Sequence, residues 1–430
     1  VPDRIIVKLA PDISRNDFSS ILDTNNYVVE KVLVRRLNII SVKLKNNQIS
    51  PLDAIKEFRN NPFVDKAILD TKVSRRDMPD DMQFDQQWAL HNVGQSGGTE
   101  DADIDAPEAW GIATGGVTPL GDTIVVAIVD GGMLLTHADL TPNLWTNWGE
   151  IPGNGIDDDN NGYVDDVHGW DAYSSDGSVP SDGHGTHVAG IVGAKGNNGV
   201  YVAGVNWNVK LMPIAGSSGT TSIVLEAYGY ALDQRAIYDS TDGSSGAFVV
   251  ATNSSFGVNN ADCNSGNYSL WNDMYDALGQ YGILSCGATM NNNSNVDVTG
   301  DVPTGCESEY MISVTNTTRN DAKNSGAAYG ATTIDLGAPG TQILSTYTGG
   351  GTSSLSGTSM ASPHVAGAVG FLHASMSAGF SSFFQSNPSE RGLLIKQLIL
   401  DGTDPLPTLN GITVSGGRLN LYNSALLSME

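Results

Sequence analysis

Apolar and polar positions follow two different rhythms along this chain. Up to about residue 70 the segments are short and alternating. Residues 4–9 read as a strand, and 14–22 as a short helix carrying Phe18, Ile21 and Leu22 on one face. Segments 27–30, 32–34 and 39–44 alternate like paired strands. Residues 51–58 predict a helix with proline in its first turn, and 64–69 a last strand. From about Gln83 the apolar runs become continuous and alternate with helical patterns. The run 123–129 (Thr-Ile-Val-Val-Ala-Ile-Val) is what a strand buried on both faces of a parallel sheet requires. Residues 247–250 and 283–286 read the same way, and 391–400 predicts a late amphipathic helix.

The order β-α-β-β-α-β of the first segment predicts a small ferredoxin-like α+β domain. The rest predicts an α/β domain with a mostly parallel central sheet. Charge sharpens that division. Residues 1–78 hold 14 Lys and Arg against 10 Asp and Glu, a net of +4; the remainder holds 8 against 37, a net of −29. The boundary is expected at residues 76/77, inside a charged stretch, 71–81, that contains Arg75-Arg76 and suits an exposed, cleavable linker. So acidic a second domain excludes a nucleic-acid partner, because it repels phosphates. No run of 18 or more apolar residues occurs, which argues against a membrane span. The first residue is Val1 rather than Met, as expected after removal of a leader or a trimmed start. Of the three cysteines, Cys263 and Cys306 lie in polar loops and Cys286 in an apolar strand. A Cys263–Cys306 disulfide with Cys286 packed as a thiol is expected, which suits an oxidising compartment.

Three stretches carry chemistry. Gly357-Thr358-Ser359-Met360-Ala361-Ser362-Pro363-His364-Val365-Ala366-Gly367 places a serine in a small-residue turn that opens an apolar helix. The free N–H groups at such a helix start stabilise developing negative charge. Asp130-Gly131-Gly132 ends the apolar strand 123–129, where open α/β sheets put functional groups. Asp182-Gly183-His184-Gly185-Thr186-His187 brings two histidines to a glycine turn, and their spacing is a poor zinc motif. His184 is the better general base, with His187 in a structural hydrogen bond.

The blocks VAIVDGG, DGHGTHVAG and SGTSMASPHVAG, in the order Asp130, His184, Ser359, resemble the signature blocks of the subtilisin-like serine proteases, or subtilases. Gly131 stands where many members carry Ser or Thr. The resemblance implies a subtilisin-like three-layer fold over most of residues 83–425. It implies an endopeptidase in which Ser359 is nucleophile, His184 base and Asp130 its orienting acid. Aligned along the strand, it selects Asn291 as the oxyanion donor, with Asn292 the alternative. It makes Ser255, Phe256 and Gly257 the edge that pairs with extended substrate, its pocket walled by residues near Thr304 and Gly305. The first domain, 1–76, resembles the family's propeptide, an inhibitor and folding aid of the catalytic domain 77–430, with cleavage expected between about Asp70 and Asp81. The partners implied are protein or peptide substrates and the chain's own propeptide.

Calcium is the expected cofactor. Asp157, Asp159, Asn161, Gly162, Tyr163 (through its carbonyl) and Asp165 fall on positions 1, 3, 5, 6, 7 and 9 of a calcium loop, with Asp166 replacing the missing last acid. The resemblance adds a second site from Asp81, Asp139 and Asn197 or Asn198. A secreted monomer acting free in solution is the resulting expectation. Two rivals stand against it: a calcium-binding scaffold without hydrolysis, and an exopeptidase with restricted entry. The presence of every catalytic residue type disfavours the first, and the second needs inserted loops that the sequence does not reveal.

Overall fold

The computed structural model describes residues 3–11, 13–45, 49–70 and 78–429, with only the backbone at 16 and 383–385. The expected linker core with Arg75-Arg76 lies outside the described residues. The chain divides into two compact units, Val1–Arg75 and Arg76–Glu430.

The first unit runs β1 (Arg4–Leu9), α1 (Arg15–Ile21), β2 (Tyr27–Val34), β3 (Ile39–Leu44), α2 (Pro51–Arg59) and β4 (Val64–Leu69). Its sheet has the order β2-β3-β1-β4 and every pairing is antiparallel. Ile5, Val7 and Leu9 alternate into a core with Ile40, Val42 and Phe58, which is the period of two read from the sequence. Ser14 and Ser50 cap the two helices by accepting from the N–H of Asp17 and Asp53. Segments 27–30 and 32–34 form one strand rather than two. Its register against β3 shifts between Val29 and Lys31, and the bulge interrupts the alternation.

In the second unit the chain passes through α3 (Ala106–Trp110), β5 (Ile124–Asp130), β6 (Trp170–Asp171), α4 (Gly183–Gly193), β7 (Lys210–Ala215) and α5 (Thr221–Ser240). There follow β8 (Phe248–Ser254), β9 (Val258–Asn259), α6 (Ser269–Gln280), β10 (Leu284–Ala288), α7 (Val296–Thr299), β11 (Asp301–Val302) and β12 (Met311–Thr317). The chain closes with β13 (Leu336–Pro339), β14 (Ile343–Tyr347), β15 (Gly351–Leu355), α8 (Thr358–Ser375), α9 (Ala378–Gln385), α10 (Pro388–Asp401), β16 (Asp404–Pro405), β17 (Gly417–Arg418) and α11 (Leu421–Leu427).

The main sheet has the order β16-β17-β13-β12-β10-β8-β5-β7-β6. Its pairings are parallel except that between β16 and β17. Every residue of β5 is buried. Ile124, Val126 and Ile128 pack into one apolar layer with Val188 of α4 and Val365 of α8. Val125, Ala127 and Val129 face the opposite layer with Tyr228 of α5 and Tyr275 of α6. This sheet between two helical layers explains why the strands read as unbroken apolar runs. Cys263 and Cys306 are joined, with Cα atoms 5.0 Å apart, and Cys286 is buried and unpaired. Among the described residues no helix is long and apolar enough to cross a membrane.

Candidate active site

The carboxyl end of β5 delivers Asp130, buried to 3% exposure, to the start of α4. That helix begins where it does because Asp182 caps it, accepting from the Gly185 N–H at 2.7 Å. Glycine is required at 185: a Cβ there would lie 2.0 Å from the Gly132 carbonyl oxygen. This close approach sets His184 Nδ1 at 2.9 and 3.0 Å from the two oxygens of Asp130. Burial pulls the His184 imidazole down, but the Asp130 hydrogen bond and charge, with the charge of Asp182, outweigh it and hold the group above its ordinary value. His187, one turn on, is fully buried against the carbonyls of Ile343 and Ser353 at 3.0 Å each. Burial pushes it down to about 4, so it stays neutral and structural.

Ser359 is the second residue of α8. Its hydroxyl donates to the Ser255 carbonyl at 3.3 Å, not to His184. Asn291 follows β10 and two buried residues, Thr289 and Met290. Its Oδ1 accepts from the Thr358 N–H at 2.9 Å and lies 3.1 Å from the Thr358 hydroxyl, which donates to the Thr289 carbonyl at 2.5 Å; this leaves Nδ2 as the outward donor. Asn292 is occupied otherwise, its amide on the Met290 sulfur and its oxygen on the Ser294 N–H.

Ser255, Phe256 and Gly257 leave the end of β8 beside Ser359, with Ser255 Oγ donating to the Ser359 carbonyl at 2.9 Å. The next residues, β9, pair antiparallel with β11. A Cβ at Gly257 would meet the Val302 carbonyl at 2.2 Å, so the 255–257 edge and the 301–305 wall touch backbone to backbone. The disulfide ties the chain just beyond both strands. The first residue of the 301–305 segment, Asp301, is one that the sequence did not single out. It is buried to 2% exposure, accepts from the Thr304 and Thr289 hydroxyls, and is pushed up to about 6 by burial.

Two acidic places fit a cation in different ways. In the 157–166 loop, carboxylate oxygens of Asp157, Asp159 and Glu150 all lie within 4.8 Å of one another. Such crowding favours a divalent ion that neutralises it. Glu150 was not legible as a member, being seven residues upstream of the repeat. Asp166 is fully buried beside this group: it accepts from Asn147 and Asn161, which also bond Asp159, and from Tyr230 and Gln234. Asp165 binds the N–H groups of Asn154 and Gly155, while the Tyr163 ring packs edge-on to Trp170. Elsewhere, Asp81 Oδ2 accepts from the Asn197 N–H at 2.7 Å, whereas its Oδ1 is buried without a partner. Asp139 is fully buried and bound by the Asn198 side chain and the Val202 N–H. Burial raises both carboxyls, and the charge of Asp139 raises Asp81 further. A buried carboxylate oxygen without a donor is costly unless a cation meets it, so this donor set too fits calcium.

Residues 121–408 match the family model described as the subtilase family. The chain belongs to the subtilase family. This subtilase is 32% identical over 342 residues to an extracellular protease of Xanthomonas campestris, which covers 74% of the chain and 53% of that relative. It thus spans about half that relative's length. It is also 32% identical over 275 residues to thermitase of Thermoactinomyces vulgaris, covering 63% of this chain and 79% of thermitase. Among solved structures, a protease of Pseudoalteromonas arctica superposes with a TM-score of 0.58 at 24% identity, over 81% of this subtilase and 99% of that chain. That likeness bears on the fold alone.

Proposed function

We propose that this subtilase is a secreted, calcium-stabilised serine endopeptidase, made as a precursor that its own first unit inhibits until the 70–81 stretch is cut. The observation that carries the reading is the Asp130–His184 hydrogen bond formed at the carboxyl ends of the strands where Ser359 and Asn291 also emerge. In the reaction, the Ser359 hydroxyl leaves the Ser255 carbonyl and gives its proton to His184 Nε2 as its oxygen bonds to the peptide carbonyl carbon. Asp130 holds the imidazole by Nδ1 and stabilises the imidazolium. The Ser359 N–H and the Asn291 Nδ2 donate to the oxyanion. His184 then protonates the leaving amine as the C–N bond breaks, and water repeats the steps to free Ser359. The 255–257 edge offers main-chain groups to an extended substrate, the mode of recognition that tolerates many sequences.

Calcium, held by Glu150, Asp157 and Asp159 and by Asp81 with Asp139 and the Asn197-Asn198 loop, supplies stability rather than chemistry. The first unit's net charge of +4 against −29 favours its association with the second, supporting an inhibitory role. The Xanthomonas relative's description as extracellular supports secretion. The test is casein digestion together with labelling by a fluorophosphonate. Both are expected in the wild type and absent in Ser359→Ala, which also stays at full length because it cannot process itself. Hydrolysis that persists in Ser359→Ala removes the mechanism.

A further inference from the structure

Pro363 lies inside α8, four residues after Ser359. It has no N–H, so the helix leaves the Ser359 carbonyl without its usual backbone donor. The hydroxyl of Ser255 fills that place at 2.9 Å. Ser255 Oγ is itself held: Asn253 Nδ2 donates to it at 3.0 Å. Asn253 Oδ1 in turn accepts from Ser362 Oγ at 2.8 Å, returning to the same helix one residue before the proline. Asn253 and Ser362 are fully buried, and Ser255 is 8% exposed. Strand alternation explains the aim: Asn253 points to the α8 face of β8, while its neighbour Ser254 points to the other and bonds Tyr228.

We infer that Asn253 is a positioning residue, which fixes the register between the nucleophile and the substrate-pairing edge by bridging Ser362 to Ser255. The inference rests on the protease reading above. Its physical content is that one side-chain amide spans two elements that must hold about the same spacing through acylation. Ser255 meets Ser359 on both sides, by hydroxyl to carbonyl and by carbonyl to hydroxyl. A Ser255 free to turn would release the backbone of the nucleophile turn and shift the edge on which the substrate lies. Displacements of the order of 1 Å between reacting groups cost about a hundredfold in rate.

The experiment uses Asn253→Ala, Ser362→Ala and the double variant in the processed enzyme, with melting temperatures measured beside the kinetics. Two substrates are compared: a peptide amide extending four residues on the acyl side, and a short activated ester that does not reach the edge. Loss of the bridge is expected to lower kcat/KM on the extended amide by about tenfold to a hundredfold, mainly through kcat. The short ester should lose much less. Ser362→Ala should show the same split, and the double variant should add little to Asn253→Ala, because both break one chain of bonds. Equal losses on the two substrates, or additive losses that track melting temperature, overturn the positioning role and leave Asn253 a core residue. A wild type that hydrolyses neither substrate overturns the protease reading, and this inference with it.

Discussion

The Thr358 backbone N–H donates to Asn291 Oδ1 at 2.9 Å, with the Thr358 hydroxyl, which donates to the Thr289 carbonyl at 2.5 Å, lying 3.1 Å from the same oxygen, and so fixes which end of that amide faces outward. Thr358 directly precedes Ser359, so the proposed oxyanion donor and the proposed nucleophile are set by one turn of chain. Asn291→Ala is expected to lower kcat by about 10²–10³ with KM little changed, a figure borrowed from subtilisin. The split matters because the amide binds charge that exists only in the transition state. Thr358→Val, which removes the hydroxyl but keeps the N–H, should cost less. A rise in KM with kcat intact would place Asn291 in substrate binding instead.

How far this was legible depends on where each residue's partners lie in the chain. Asp130, His184 and Ser359 each sit in a local block, a strand end or helix start whose pattern shows in about ten residues. The three-layer fold was legible for the same reason, since β5 is apolar at every position before its terminal Asp130. Glu150, Asp166 and Asn253 were not legible as they stand. Glu150 joins Asp157 and Asp159 by folding back from upstream. Asp166 is claimed by Tyr230 and Gln234, 64 and 68 residues away on α5, which no local spacing reveals. Asn253 bonds Ser362, 109 residues away on α8, a contact that no local spacing reveals. In the first unit, the bulge at Glu30 hid the continuity of β2.

Calcium removal separates the two acidic places. Asp81 has a buried oxygen with no donor, so the folded state carries a desolvated charge that only a cation offsets. A ligand at a hundred times its Kd stabilises by about 2.7 kcal/mol, so EDTA should lower the melting temperature by several degrees. Asp81→Asn should be less sensitive to EDTA than the wild type, because an amide leaves less charge to neutralise. Glu150→Gln should remove a separate part of the response, and the two should add. A wild-type melting curve unmoved by EDTA would withdraw calcium from both places.

The Cys263–Cys306 bridge closes a 43-residue separation that contains β10, Asn291 and β11. Chain-entropy reasoning gives about 4 kcal/mol for a loop of that length. Cys263→Ser with Cys306→Ser should therefore lower the unfolding free energy by an amount of that order, read as a lowered denaturant midpoint multiplied by the slope m. The bridge also lies just beyond the β9–β11 pairing, so residues 301–305, the proposed pocket wall, should loosen before Asp130, His184 and Ser359 do. KM for extended peptides should rise more than kcat falls. An unchanged midpoint would mean that the reduced unfolded chain is already restrained.

The pH dependence of hydrolysis follows from His184. Its raised pKa means that the protonated imidazole, which cannot accept the Ser359 proton, persists to higher pH than an ordinary histidine would allow. Rate should therefore climb with pH through a midpoint above about 6.5, the unperturbed value, and be lost below it. Asp182 adds to the upward shift through its charge alone, while its Oδ1 caps α4. Asp182→Asn keeps a good capping group and removes the charge, so the midpoint of kcat/KM should move down and activity at acid pH should rise relative to that at pH 8. Salt should shrink the difference between the two enzymes, since the interaction runs partly through solvent. A midpoint that moves up in Asp182→Asn, or a difference that grows with salt, would show that Asp182 acts on His184 through structure and not through its field.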